Sequence, residues 1–373
     1  MTASESETTP LTGQSPSKGG RKPLLRAVLA LALLALIVGV WSRFGSSFVS
    51  SASTKVEDEW MPNVVNVSGY SMPITIVGDG EDQDESKREI QRLFDASLME
   101  CFGFAFLDAQ ATASKALQAA LDLSIDCPMC YWLLAMTHAP FINHPTASQK
   151  NYQMAKEASQ LALQLLQKHS HISPKEQGLI HALQLRFNSS VQVQSIGYLD
   201  YKNSLQEMQQ QFPDDPDVLA FLADSIMVLN CDDDGYHFYQ DDNLTPLPAV
   251  ARAIQFLEHC LVISNHPLCS HLYIHITEPS ENPSRAEMTA DRLNQAAHNT
   301  QAQHLQHMPS HTYLRVGRYH DAILANIQAH HSDQAYLDHH HLPYGPAHDT
   351  AFLVIKQVFT GGIWHLNFLF QIA

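Results

Sequence analysis

The chain has 373 residues, 45% hydrophobic and 16% charged, with a formal net charge of −16. This composition is enough to bury one or two substantial cores and excludes a wholly disordered chain. It also argues against nucleic acid as a partner, because phosphate binding needs clustered cations; four of the basic residues (Lys18, Arg21, Lys22 and Arg26) precede an apolar stretch.

Residues 1–22 are rich in Ser, Thr, Gly and Pro and read as a disordered cytosolic tail. Residues 23–42 contain the unbroken apolar run AVLALALLALIVGVW from Ala27 to Trp41, lengthened by Pro23, Leu24 and Leu25 if Arg26 snorkels to the headgroups. Basic residues before the run, and only Arg43 close after it, predict one transmembrane signal anchor. The protein is then a single-pass type II membrane protein of the endomembrane system, with its C-terminal domain lumenal or extracellular. A cleaved signal peptide with a small-residue site near Ser50 and Ala52 is the rival reading, and a polar lead of about 26 residues is long for it. Sequons at Asn66, Asn188 and Asn243 fit a glycoprotein exposed to that lumen.

Residues 43–86 start as a Ser-rich stalk, pass through the β-branched stretch NVVNVSGYSMPITIVGDG, which suggests a short extended element, and end in an acidic run. From about Lys87 the character changes. Segments such as TASKALQAALDLS, SPKEQGLIHALQLRF and DDPDVLAFLADSIMVL carry apolar residues at three- and four-residue spacing, and residues 87–373 read as a helical repeat domain. In HISPKEQ, Ser173 is placed to cap a helix, with Pro174 at N1 and Glu176 at N3. No strand-rich region of comparable length is present, so the fold class is all-α. Gly317, Tyr319, Ala322, Ile323 and Ala329 follow the spacing of the second helix of a tetratricopeptide repeat (TPR), with Tyr313 at the aromatic position of the first. The architecture expected is a TPR-like α-solenoid of antiparallel helix pairs.

Six cysteines form an even set, but in a chain this long they do not make a disulfide framework. Cys127 and Cys130 have CxxC spacing with no second such pair, which reads as buried small side chains or one local disulfide rather than zinc.

The phrases DCPMCYWLLAMTHAPFIN, SPKEQGLIHALQLRF, FPDDPDVLAFLADSIM, HPLCSHLYIHITEPS and HMPSHTYLRVGRYHDAILAN occur in this order over residues 95–360. In order and spacing they resemble a family of poorly characterised tetratricopeptide-repeat proteins. The resemblance implies a helical-repeat fold and the two histidine phrases, and it carries no reaction with it. Family members continue with a further helix pair after the equivalent of HDTAFLVIKQVFTGG, whereas this chain ends in IWHLNFLFQIA, so a truncated C-terminal end is expected. The N-terminal anchor is a second departure.

Within the two histidine phrases, His271, His275 and Glu278 share one helical stripe, and His307 and His311 straddle Pro309, which must lie in or before a first helical turn. Ser310 or a neighbour is expected to supply the cap. One helix, residues 284–297, separates the phrases, so the two pairs are expected to lie side by side in one layer. Four histidines with a carboxylate suit zinc, iron or copper, with His348 as a further ligand and Glu278 as ligand or general base for a bound water. The competing reading is a buried polar network that locks adjacent repeats. It has weight because 16 of the 22 histidines lie after residue 258, where chance pairs are common. The run His339, His340 and His341 reads as a solvated loop. The acidic NCDDDGYHFYQD resembles a calcium loop only in part and reads as a connector, since no Glu stands at its last position. Two functions therefore stand: an interaction scaffold for a protein or peptide on the lumenal side, which the repeat fold favours, and a metal-dependent, hydrolase-like enzyme.

Overall fold

The computed structural model describes residues 67–78, 84–240 and 245–338. The apolar run, the sequons at Asn66 and Asn243, the histidines at 339–341, His348 and the C-terminal tail all lie outside these residues. Among the described residues no helix is long and apolar enough to cross a membrane.

The all-α expectation holds for the described residues. Helix α1 (Asp84–Phe102) packs along α2 (Phe106–Asp122), α3 (Pro128–Thr137) along α4 (Gln149–Leu166), α5 (Pro174–Arg186) along α6 (Gln194–Gln211), and α7 (Pro216–Val228) along α8 (Pro248–Ile263). Each pair packs on the next. The array continues through α9 (Pro267–Thr277), α10 (Glu287–Ala297), a short α11 (Gln303–His307), α12 (Pro309–Arg315) and α13 (Tyr319–Asp338). Buried aromatic, aliphatic and alanine side chains from successive pairs form one large core, with a smaller cluster of Ile90, Ala120, Ile125, Cys127 and Cys130 beside the first pair.

Helix starts are written into the sequence. Proline opens α3, α5, α7, α8, α9 and α12, where its missing N–H falls among donors that have no intrahelical partner anyway. At α5 the expected capping box is present, with Ser173 Oγ accepting from the Glu176 N–H and the Glu176 carboxylate accepting from the Ser173 N–H. At α12 the structure departs from expectation: no side chain caps it, because Met308 already has helical φ/ψ and α11 runs almost directly into α12. Small residues set how closely helices approach. A Cβ on Gly197 would stand 2.3 Å from the Arg186 carbonyl oxygen, so only glycine lets α6 start against the end of α5.

The β-branched segment is more than a tether. Val67 and Met72 are buried in the core, Val77 exchanges backbone hydrogen bonds with Asp126, and Thr75 donates through both N and Oγ1 to Glu176. The acidic connector forms a short hairpin, β1 (Cys231–Asp232) with β2 (Gly235–Tyr236), in which Asp232 turns to the Asp234 N–H and to His237. Cysteines pair as Cys127–Cys130 and Cys260–Cys269, while Cys101 and Cys231 are free thiols. Asn188 is exposed in the loop after α5.

One buried carboxylate ties three parts of the array together. Asp217, near the start of α7, accepts from Tyr70 Oη at 2.6 Å, from Lys175 Nζ at 2.5 Å and from His266 Nε2 at 3.0 Å. Burial by itself would raise its pKa, but the hydrogen bonds from His266 and Lys175 together with the charge of Lys175 outweigh burial and hold the carboxyl well below the usual carboxylate range. Replacing Asp217 by Ala leaves buried donors unmatched, and the expected loss is about 3–5 kcal/mol in urea unfolding. The stability from this ionised carboxylate is complete above its ordinary pKa and disappears as pH falls through the lowered folded value. Wild type should therefore lose more stability than Asp217→Ala on acidification from about pH 5 to pH 2.

Candidate metal centre

The centre begins with a break in the chain. Helix α1 ends at Phe102, and Phe104 adopts φ 59°, in the left-handed region that a bulky residue avoids at a cost of about 1–3 kcal/mol. The break turns the Phe102 carbonyl and the Phe104 ring toward α9. There His271 Nδ1 donates to the Phe102 oxygen at 2.5 Å, and the Phe104 ring lies 4.3 Å from the His271 ring and 5.3 Å from that of His304, centroid to centroid.

Helical spacing supplies the rest. His271 and His275 project from one face of α9, and Glu278 forms its C-cap. His304 and His307 sit on α11, and His311 follows one turn into α12, with Pro309 in the first turn as the sequence requires. The intervening helix is divided, a 3-10 turn at Pro283–Ala286 leading into α10, and α9 meets α12 beside it. All five imidazoles are at most 4% exposed. Ring centroids are 4.9 Å apart for His271 and His275, 5.0 Å for His271 and His304, 5.4 Å for His275 and His311, and 4.8 Å for His307 and His311.

The partners of these rings assign their protons. Asn326 Nδ2 donates to the Ala322 carbonyl, which turns Oδ1 toward His307; His307 Nδ1, 2.6 Å away, must be the donor. His311 Nδ1 lies 2.9 Å from Glu278 Oε2 and donates to that carboxylate. With both Nδ1 hydrogens committed, His307 Nε2 and His311 Nε2 face one another at 2.9 Å. Two lone pairs at that separation repel unless a proton or a metal ion lies against them. His271 is set up in the same way: its Nδ1 is spent on Phe102, and its Nε2 is buried with no hydrogen-bond partner among the described residues. A ring fixed through one nitrogen with the other held as a lone pair is the usual condition of a metal-ligating histidine. His271, His275 and His304 each offer a ligand atom within 4.8 Å of the other two, close enough for small ring shifts to reach nitrogen–metal bonds of about 2.0–2.1 Å.

The structure thus brings His271, His275, Glu278, His307 and His311 together, and it adds His304, which the sequence reading passed over. The signal for it was there, since His304, His307 and His311 are spaced i, i+3, i+7 and share one face. Glu278 stands beside them, its Oε2 accepting from His311 Nδ1. His348 lies outside the described residues. A second cluster, Cys260, His266 and Cys269, offers no comparable lone pairs. Its sulfurs are bonded to each other, His266 Nδ1 accepts from the Cys269 N–H, and Nε2 donates to Asp217.

No protein-family model and no curated protein matches the chain.

Burial pushes the His271 pKa down to about 3, partly offset by its bond to the Phe102 carbonyl, and the nearby His311 lowers it further. His271 is accordingly a neutral imidazole with its hydrogen on Nδ1 throughout the physiological range. In metal-free protein its ring nitrogen resonances should not titrate between about pH 8 and pH 5, where a free histidine passes through its pKa near 6.5; an NMR pH titration of labelled histidine reads this directly.

Proposed function

We propose that this protein is a metal-dependent enzyme, hydrolase-like, whose ion is held by the buried histidines of α9, α11 and α12. The observation that carries the reading is the facing pair His307 Nε2 and His311 Nε2, whose opposite nitrogens are both committed as donors. His271, His275 and His304 complete a set of imidazoles suited to zinc, iron or copper. A bound ion of this kind acidifies a water and makes it nucleophilic near neutral pH. Glu278 holds His311 by its Nδ1 and makes it a stronger donor, Asn326 does the same for His307, and the Phe102 carbonyl for His271. Phe104 excludes bulk water from one side.

The array of helix pairs is read further as a tetratricopeptide-like solenoid, supported by the pairing of α12 with α13 around buried Tyr313 and by Gly317 at φ 82° between them. The sequence, with its apolar segment at residues 27–41, supports a lumenal position for the domain. The interaction-scaffold function draws its support from the fold class, while the metal function has named atoms behind it.

Mass spectrometry of the untagged protein should find stoichiometric metal, lost in both His275→Ala and His311→Ala. Asn326→Ala, which touches no ligand nitrogen, should weaken metal binding by about 10- to 100-fold. Metal-free wild type, with both histidine variants merely less stable, would return the cluster to a proton-sharing network that locks neighbouring helices.

A further inference from the structure

The turn between α8 and α9 brings two sulfurs and an imidazole together. Cys260 lies in the last turn of α8, His266 is the N-cap of α9 and Cys269 stands in its first turn. All three are fully buried. One ligand atom from each, Sγ, Sγ and a ring nitrogen, lies within 4.8 Å of the other two. In the oxidised chain the sulfurs hold each other. The surroundings nevertheless have the parts of a metal site.

His266 Nε2 donates to Asp217 at 3.0 Å, so Nδ1 carries the lone pair, and it is turned to the Cys269 N–H at 3.3 Å. A carboxylate behind the far nitrogen of an imidazole is the recurrent arrangement around zinc. The rings of Tyr70 and Phe102 pack on His266 at 4.7 Å and 5.4 Å between centroids and fix its plane. The Pro216 carbonyl oxygen lies 3.7 Å from Cys260 Sγ and 4.0 Å from Cys269 Sγ, which offers a fourth donor. With the Cα atoms 6.5 Å apart, freed sulfurs have room to separate to the roughly 3.8 Å that two zinc–sulfur bonds of about 2.3 Å require. Charge agrees with this. Two thiolates cancel the charge of a divalent ion, so the filled site is neutral where burial would penalise a net charge.

We propose that Cys260, Cys269 and His266 form a zinc site gated by oxidation, filled when the sulfurs are thiolates and emptied when they join. Opening the site takes a dithiol reductant, which is oxidised to its own cyclic disulfide. The Cys260–Cys269 bond accepts its two electrons and two protons and breaks, and the two thiol protons pass to water as zinc binds. A two-electron oxidant reverses the change: the thiolates join, and zinc leaves as the divalent ion. The site shares no residue with the five-histidine centre, so it stands whether or not that centre holds metal.

The test uses full-length protein made in a reducing cytosol and kept from oxygen, with cobalt(II) as a probe for zinc. Reduced wild type should show the near-ultraviolet charge-transfer absorption of cobalt bound to thiolate, which a site of histidines alone does not produce. Added zinc should abolish it. Diamide, which takes up two electrons and two protons, should release zinc from the zinc-loaded protein in step with loss of the two thiols. Cys260→Ser and Cys269→Ser should each lose the absorption, whereas Cys127→Ser should keep it. His266→Asn retains an acceptor for the helix cap and an N–H for Asp217, and should weaken cobalt binding by at least about tenfold. No thiolate absorption in reduced wild type, undiminished absorption in Cys260→Ser, or zinc retained after the disulfide has formed would each overturn the proposal and leave a purely structural cross-link.

Discussion

The constraint on which the centre depends is that a buried imidazole must have its hydrogen placed. Away from water, a ring nitrogen that neither donates nor accepts forfeits about 1–3 kcal/mol, and five buried imidazoles meet here. Three of them are held through Nδ1, by a backbone carbonyl, an amide and a carboxylate drawn from three different elements. The chain thereby fixes which nitrogens remain as lone pairs, and those of His307 and His311 face one another. An arrangement serving only as mechanical locking gains nothing from bringing His307 Nε2 to His311 Nε2, since it then needs an extra proton to hold the pair together.

How much of this could be read beforehand depends on range. Local signals were legible: the Ser173 capping box, prolines at helix starts, and the stripe of His271, His275 and Glu278 are all decided within two turns of chain. The meeting of α9 with α12 followed from counting one helix between them. His304 was equally available from its spacing. Asn326 and the Phe102 carbonyl were not, because each acquires its role from a residue brought beside it only by packing. The partner of Cys260 was hidden for the same reason, as spacing alone carries no connectivity.

Phe104 shows how backbone and site are related. A helix of this hydrophobic pattern would run on through Gly103 if periodicity alone decided. Instead the chain takes the less favourable left-handed conformation at a phenylalanine, and the ring so placed packs against the histidines. Local strain of about 1–3 kcal/mol is tolerated where the surrounding packing more than offsets it, and here that packing comprises Phe106, Phe141 and three imidazoles.

The Cys260–Cys269 bond joins the last turn of α8 to the first turn of α9. An α-helix has 3.6 residues per turn, so a modest rotation about its axis would swing His271 and His275 away from the other three rings together. Fastened covalently at its first turn, α9 has its rotational phase set by a sulfur–sulfur bond two residues from His271. The direction in which the imidazoles face is thus tied to the oxidation state of two cysteines outside that centre.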